Sequence, residues 1–239
     1  MVLAILQARM SSSRLPGKVL ADLAGAPMVL RQIERLKRAA RLDRIVVATS
    51  DQASDNGLVD TLARAGVDIH RGSLDDVLAR FIGAIDAFGP AETIVRLTAD
   101  CPLADPGVID ATIERFLATG ADYVSNTGER RTFPKGLDVE VFRSTALREA
   151  AAETSEPYDR EHVTPFLYRR PERYALAFHA QDAVEGEVRW TVDRPDDLDF
   201  VRAVYDALYA ANPAFSSDDV RALVRSRPDL LTLGGDPRA

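Results

Sequence analysis

Five short apolar runs, Val2 to Leu6, Ile45 to Ala48, Val67 to Ile69, Ile94 to Leu97 and Tyr123 to Ser125, alternate with longer segments of helical periodicity. Runs of this length, bounded by polar and turn residues, read as buried strands. Strands separated by helices cannot pair through tight hairpins, so the pattern predicts an α/β chain with a mostly parallel central sheet and crossover helices. Leu74, Val77, Leu78, Phe81, Ile82, Ile85 and Phe88 recur at helical spacing and predict one such crossover. Pro27 and Pro106 suit a first helical turn, with Asp105 a cap ahead of Ile109, Ile113 and Phe116.

After Asn126 the pattern changes. Residues 127 to 136 are polar and basic, and then Leu137, Val139 and Val141 alternate with Asp138 and Glu140. Alternation of this kind predicts an exposed strand in a small antiparallel extension, a hairpin over about 127–145. Val188 to Val192 predicts another strand, Pro195 to Tyr209 a helix, and Ser216 with Asp219 a capped helix start. The residues after Leu233, Gly-Gly-Asp-Pro-Arg-Ala, are expected to fray.

The chain has 239 residues, 46% of them hydrophobic, enough for one large core, and 1–239 is expected to form a single domain. Its formal net charge of -7 argues against a nucleic-acid partner, since such binding rests on a broad basic surface. No run approaches a membrane span and the N-terminus lacks a basic leader, so no membrane partner and a cytoplasmic location are expected. The single cysteine, Cys101, forbids an internal disulfide and suits a buried small residue better than a nucleophile.

Against that acidic background, residues 7 to 18, Gln-Ala-Arg-Met-Ser-Ser-Ser-Arg-Leu-Pro-Gly-Lys, carry Arg9, Arg14 and Lys18 with no acid before Asp22. They follow the first strand directly, where ligands of open parallel sheets collect. Serine hydroxyls, guanidinium forks, an ammonium and N–H groups freed by Gly17 are the donors phosphate oxygens require. Lysines stand only at 18, 37 and 135 among 30 basic residues, so a lysine at 18 points to a compact charge that arginine does not replace. Neither the P-loop pattern nor the dinucleotide fingerprint occurs. Asp100, in Thr-Ala-Asp-Cys-Pro, follows the Ile94–Leu97 strand and is placed to face the same crevice. Its plainer role is to cap a turn. Asp193, in Thr-Val-Asp-Arg-Pro, has the same placement after Val188–Val192, where a helix-terminal acid is equally at home. Three scattered histidines and one cysteine make no zinc site.

The run Gln7 to Leu20 resembles the signature of the sugar-activating nucleotidyltransferases, and most closely the acylneuraminate and 3-deoxy-octulosonate cytidylyltransferases of the spore-coat polysaccharide branch. The likeness continues through 71–80, 96–103, 134–142, 160–164 and 190–193, in this order and at these spacings. It implies the nucleotide-diphospho-sugar transferase fold, which is Rossmann-like, CTP as a substrate, Mg2+ as cofactor and a homodimer. It implies transfer of CMP to a sugar, a sugar acid by preference, with release of pyrophosphate. Arg14 and Lys18 would hold the β and γ phosphates, with Asp100 and Asp193 as metal ligands. Gln7, Ala8, Arg9, Ser13 and Gly17, together with Arg71, Gly72, Asp76 and Arg80, would contact the nucleotide. Arg80 sits in an amphipathic helix where a surface salt bridge is as natural. Arg130, Arg131, Lys135, Asp138, Glu140 and His162 would form the acceptor side, although the same residues suit a solvated hairpin or a dimer contact. Rival readings are a guanylyl- or other nucleotidyltransferase of the same fold, a glycosyltransferase using a nucleotide-sugar, and a noncatalytic nucleotide-binding subunit.

Overall fold

In the computed structural model, which describes residues 1–128, 130–233 and 236–238, the five apolar runs form strands as the alternation requires. They are β1 (Val2–Gln7), β4 (Arg44–Ser50), β5 (Asp68–Gly72), β6 (Thr93–Thr98) and β7 (Tyr123–Ser125). Two short strands, β2 (Asp22–Leu23) and β3 (Ala26–Pro27), pair antiparallel as a separate sheet just after the basic loop. Further strands are β8 (Glu140–Arg143) and β9 (Leu176–Phe178). The main sheet runs β5-β4-β1-β6-β8-β7-β9 and is parallel apart from β8, which is antiparallel to both its neighbours.

The helices are α1 (Met28–Leu36), α2 (Asn56–Arg64), α3 (Val77–Phe88), α4 (Pro106–Thr119), α5 (Ser144–Glu153), α6 (Pro157–His162), α7 (Pro165–Tyr168), α8 (Pro195–Leu208), α9 (Ser217–Ser226) and α10 (Pro228–Leu231). Asp105 caps α4 through the amides of Gly107 and Val108, and Ser216 and Asp219 form a capping box on α9, both as expected. Strand β1 alternates its side chains between two apolar layers. Ala4 and Leu6 join α1, α2 and α4, while Leu3 and Ile5 join α3, α5 and α7. Burial on both faces is the condition under which a parallel strand reads as a continuous apolar run. A third apolar cluster, built on Trp190, Phe200, Tyr205 and Phe215, packs α8 and α9 beyond the polar end of the sheet.

Three expectations need correction. The strand expected around Leu137–Val141 is shorter and buried, because β8 is inserted between β6 and β7, and the preceding residues loop across the top of the sheet. Val188–Val192 is extended but not a strand. Its ladder contact is one bridge, Arg189 to Lys135, and its backbone bonds include Trp190 N to Lys135 O (2.7 Å) and Val192 N to Asp100 O (2.8 Å). Gly136 permits this close approach, since a Cβ there would lie 2.7 Å from Thr191 N and its φ of 112° suits glycine. Of the residues after Leu233, expected to fray, Gly234, Gly235 and Ala239 lie outside the described residues, while Arg238 is fully buried and ion-paired.

Moving along the sheet from β1, the chain winds one way to β4 and β5 and then the other way to β6. The polar crevice at the carboxyl ends of β1 and β6 is therefore the point where the winding reverses, the usual ligand position in such sheets.

Candidate active site

Both edges of that crevice are fixed by backbone. Ala99 N donates to Gln7 O (2.9 Å) and Ala8 N donates to Ala48 O (3.1 Å), so the chain leaves β1 and β6 at one level. The basic loop then folds back on itself: Ser12 N and Gly17 N both reach Met10 O, and Gly17 takes a φ of 75° before the short turn of 3-10 helix at Lys18–Leu20. That reversal points Lys18 inward, where it is buried although charged.

Lys18 Nζ donates to Asp100 Oδ2 (3.1 Å), Asp193 Oδ1 (3.1 Å) and Val192 O (2.6 Å). Three donors meet three acceptors, so the buried ammonium is satisfied and both carboxylates are held at one point. Arg14 Nη2 lies 2.9 Å from Asp193 Oδ1 with 62% of its side chain still exposed. Burial pushes the Asp100 carboxyl up, but Lys18, Thr98 and Cys101 outweigh it and leave the pKa below the usual range. Asp100 is thus held as the anion. Cys101 beside it is buried and its thiol pushed up by that burial, the inert role expected of it.

A polar recess of about 200 Å3 opens here, lined among others by Gln7, Ala8, Arg9, Ser13, Arg14 and Asp100. Gly17 shapes the loop next to it. The second group of expected nucleotide contacts is not brought into this recess, because β4 separates β5 from β1. Arg71 donates to Ser50 O and Gln52 O, Asp76 caps α3 and meets Arg160, and a Cβ on Gly72 would press on the Arg80 side chain. Among the described residues Arg80 makes no surface salt bridge. It is buried, donates to Ser73 O, and burial pushes its pKa down to about 10.

A larger cavity of about 760 Å3 lies alongside, and Thr98 lines both. Its walls include Arg96, Arg131, Asp138, Glu140, Tyr158 and His162. Glu140 lies opposite Arg96 in the β6–β8 register and pairs with it. It also accepts from Tyr123 Oη and Thr164 Oγ1, both at 2.6 Å. Arg131 pairs with Asp138. The His162 ring packs tilted against Tyr158, with ring centroids 4.2 Å apart and planes 51° from parallel. Lys135 reaches Glu187 outside the cavity, and Arg130 lines a separate recess.

Two acids the sequence did not single out hold the site together. Asp55 is fully buried; its carboxylate accepts from Met10 N (2.8 Å), Thr49 Oγ1 (2.8 Å), Ser50 N (3.0 Å) and Ser50 Oγ (2.5 Å), tying the basic loop to β4. Nothing in a string of polar residues at 49–55 distinguishes it from its neighbour Asp51. Asp55→Ala orphans these donors and is expected to cost about 3 kcal/mol or more in denaturant unfolding. Burial pushes the Asp55 pKa up, yet the four hydrogen bonds outweigh it and hold the carboxyl below its ordinary value. Its contribution is therefore complete above the ordinary carboxylate pKa and fades only as pH falls through the lowered folded value. The other acid, Asp197, accepts from the amides of Asp193 (2.9 Å) and Arg194 (3.0 Å). Its place at the third position of α8 is a capping-box signal readable from sequence.

A family model described as cytidylyltransferase matches residues 3–209. The chain belongs to the cytidylyltransferase family. The spore coat polysaccharide biosynthesis protein SpsF of Bacillus subtilis is 32% identical over 238 residues, covering 97% of each chain. A 3-deoxy-manno-octulosonate cytidylyltransferase of Mesorhizobium japonicum is 33% identical over 186 residues, 70% of this chain and 74% of its own. A solved cytidylyltransferase from Leptospira borgpetersenii superimposes with a TM-score of 0.90 at 28% identity, covering 96% of this chain and 95% of that one. The cytidylyltransferase fold expected from the sequence is thereby established, and with it an enzyme that transfers a nucleotidyl group from CTP.

The family implies a divalent metal, and the residues present fit one. Two carboxylates converge on a single point, now held by an ammonium that stands in for a cation, and an open phosphate-sized recess adjoins them. Among the described residues no three acidic, histidine or cysteine side chains gather as a metal set. Among the described residues no helix is long and apolar enough to cross a membrane.

Proposed function

We propose that this cytidylyltransferase uses Mg2+ and activates a sugar acid, joining CMP to it and releasing pyrophosphate, for surface polysaccharide synthesis. The observation that carries the reading is the Asp100–Lys18–Asp193 junction, set at the floor of a phosphate-sized recess and sharing Thr98 with a cavity large enough for a nine-carbon sugar acid.

In this reading the triphosphate lies along the basic loop. Arg14, the most exposed cation at the junction, reaches the β and γ phosphates and balances the charge that grows on the leaving pyrophosphate. Lys18 keeps Asp100 and Asp193 oriented and adds positive charge below the phosphates. Asp100 and Asp193 would hold the metal, which when bound neutralises phosphate charge and polarises the α-phosphate. Gln7 and Ala8 lie at the base of the recess, and Arg9 and Ser13 line its wall. The acceptor hydroxyl enters from the larger cavity past Thr98.

The acceptor carboxylate is assigned to Arg131 and Arg96. Arg131 faces the cavity, and Arg96 Nε is buried with no hydrogen-bond partner among the described residues. A carboxylate satisfies such a guanidinium by charge-assisted bonds. The names of the relatives from Bacillus subtilis and Mesorhizobium japonicum support an acidic or polysaccharide-bound sugar.

The test is ligand stabilisation. CTP with Mg2+ is expected to raise the melting temperature more than GTP, ATP or UTP, since a ligand that binds only the native state stabilises it by mass action. Equal shifts for all four triphosphates would contradict a site selective for cytosine, and a larger shift with GTP would favour the guanylyl alternative.

A further inference from the structure

The residues that bring Asp193 to Lys18 belong to no strand, so their geometry has to be imposed from behind. The face behind them is a buried ionic junction. Asp197 is fully buried, and its Oδ2 accepts from Asp193 N (2.9 Å), Arg194 N (3.0 Å) and Arg189 Nη2 (2.8 Å). Its Oδ1 accepts from Arg238 Nη1 (2.9 Å). Arg238 is also fully buried, and its other donors go to Arg189 O (3.0 Å) and Leu233 O (2.9 and 3.2 Å). Two more bonds lay the 236–238 segment along the same stretch: Arg189 N donates to Pro237 O (3.0 Å) and Trp190 Nε1 to Arg238 O (2.8 Å).

We propose that Asp197 and Arg238 are positioning residues for Asp193, so that a segment more than forty residues distant in sequence sets the geometry of the metal-binding carboxylate. The proposal rests on the reading of Asp193 as a metal ligand in cytidylyl transfer. Three features of the junction support it. An acid at the start of a helix normally serves that helix's own free amides, but Asp197 reaches back to the amide of Asp193 itself. With that bond made, the Asp193 side chain does not turn in to cap α8 and is left to face Lys18 and Arg14. Finally, a buried ion pair is a poor device for stability alone, because apolar residues of similar volume commonly do as well or better. Here Asp197 Oδ2 is bonded to the 189–194 stretch, Oδ1 to Arg238, and the rest of the Arg238 fork to Arg189 O and Leu233 O, which is the arrangement of a template rather than of a filler. Neither side chain lines the phosphate recess or the larger cavity.

Outer partners that orient a metal-binding side chain typically affect metal affinity by 10- to 100-fold when removed. The full chain carrying Arg238→Ala is therefore expected to bind Mn2+ ~10-fold more weakly in the presence of CTP, read directly by electron paramagnetic resonance. CTP affinity without metal should be unchanged. Arg238→Lys should recover part of the loss, since an ammonium reaches Asp197 but cannot also span Arg189 O and Leu233 O. Asp197→Asn, which keeps an acceptor for the two amides and loses the ion pair, gives the same test if Arg238→Ala fails to fold. Variants that melt at a lower temperature yet bind Mn2+ as the parent does would show a purely structural tie and overturn the proposal. A parent protein that binds CTP but no Mn2+ would instead overturn the metal-ligand reading beneath it.

Discussion

Lys18→Ala is expected to lower pyrophosphate release by ~10²-fold or more, the scale of removing a preorganised charge-stabilising donor. The lysine contributes twice. It is a cation beneath the phosphates, and it is the only group among the described residues that bonds both Asp100 and Asp193 through one atom. Without it Asp100 loses its ammonium partner, and the burial that Lys18 had outweighed then pushes the Asp100 pKa up. Lys18→Arg is expected not to restore the rate, because a planar fork does not occupy a point at which three acceptors lie within 3.1 Å. Near-parental turnover in both variants, measured in steady-state kinetics, would remove Lys18 from the chemistry.

Asp193→Asn should lower turnover by a similar factor, ~10²-fold, and shift its Mg2+ dependence to higher concentration. The amide keeps an acceptor for Lys18 but loses the charge that attracts a metal. Asp100→Asn is expected to act in the same direction. The competing view of Asp193 as an acid serving a helix dipole predicts a loss of only ~0.3–1 kcal/mol in stability with metal dependence unchanged. The larger effect is favoured because the amide of Arg194, which caps α8, is bonded by Asp197, and Asp193 turns instead toward two cations.

What the sequence conveyed well was local. Val2–Leu6 is a strand because both its faces are buried, and the loop that follows shows its cations against an acidic chain. Helix α3 repeats its apolar residues at the helical period, and Asp105 sits where a cap must be. Asp100 was legible because it follows a strong strand directly. The features that escaped depend on partners far along the chain. Val188–Val192 has the composition of a strand, but its neighbour at Lys135–Gly136 offers only one bridge, so alternation alone misleads. Arg238 lies among glycine and proline, a composition that reads as frayed, and its order comes from partners that include the buried Asp197 forty-one residues earlier. Asp55 resembles any acid of a polar turn until Met10 is seen to donate to it across forty-five residues. On the acceptor side, Arg131 and Lys135 are four residues apart in one basic loop, yet the bridge that turns Lys135 toward Glu187 leaves only Arg131 in the cavity.

The most direct test of the account is pyrophosphate release by the purified protein with Mg2+, each of the four ribonucleoside triphosphates, and a panel of sugar acids, neutral sugars and sugar phosphates. The account predicts release only with CTP and a sugar acid, accompanied by a CMP-sugar in equal amount. Release with a sugar phosphate or a neutral sugar, and none with any sugar acid, would contradict the assignment of the acceptor carboxylate to Arg96 and Arg131.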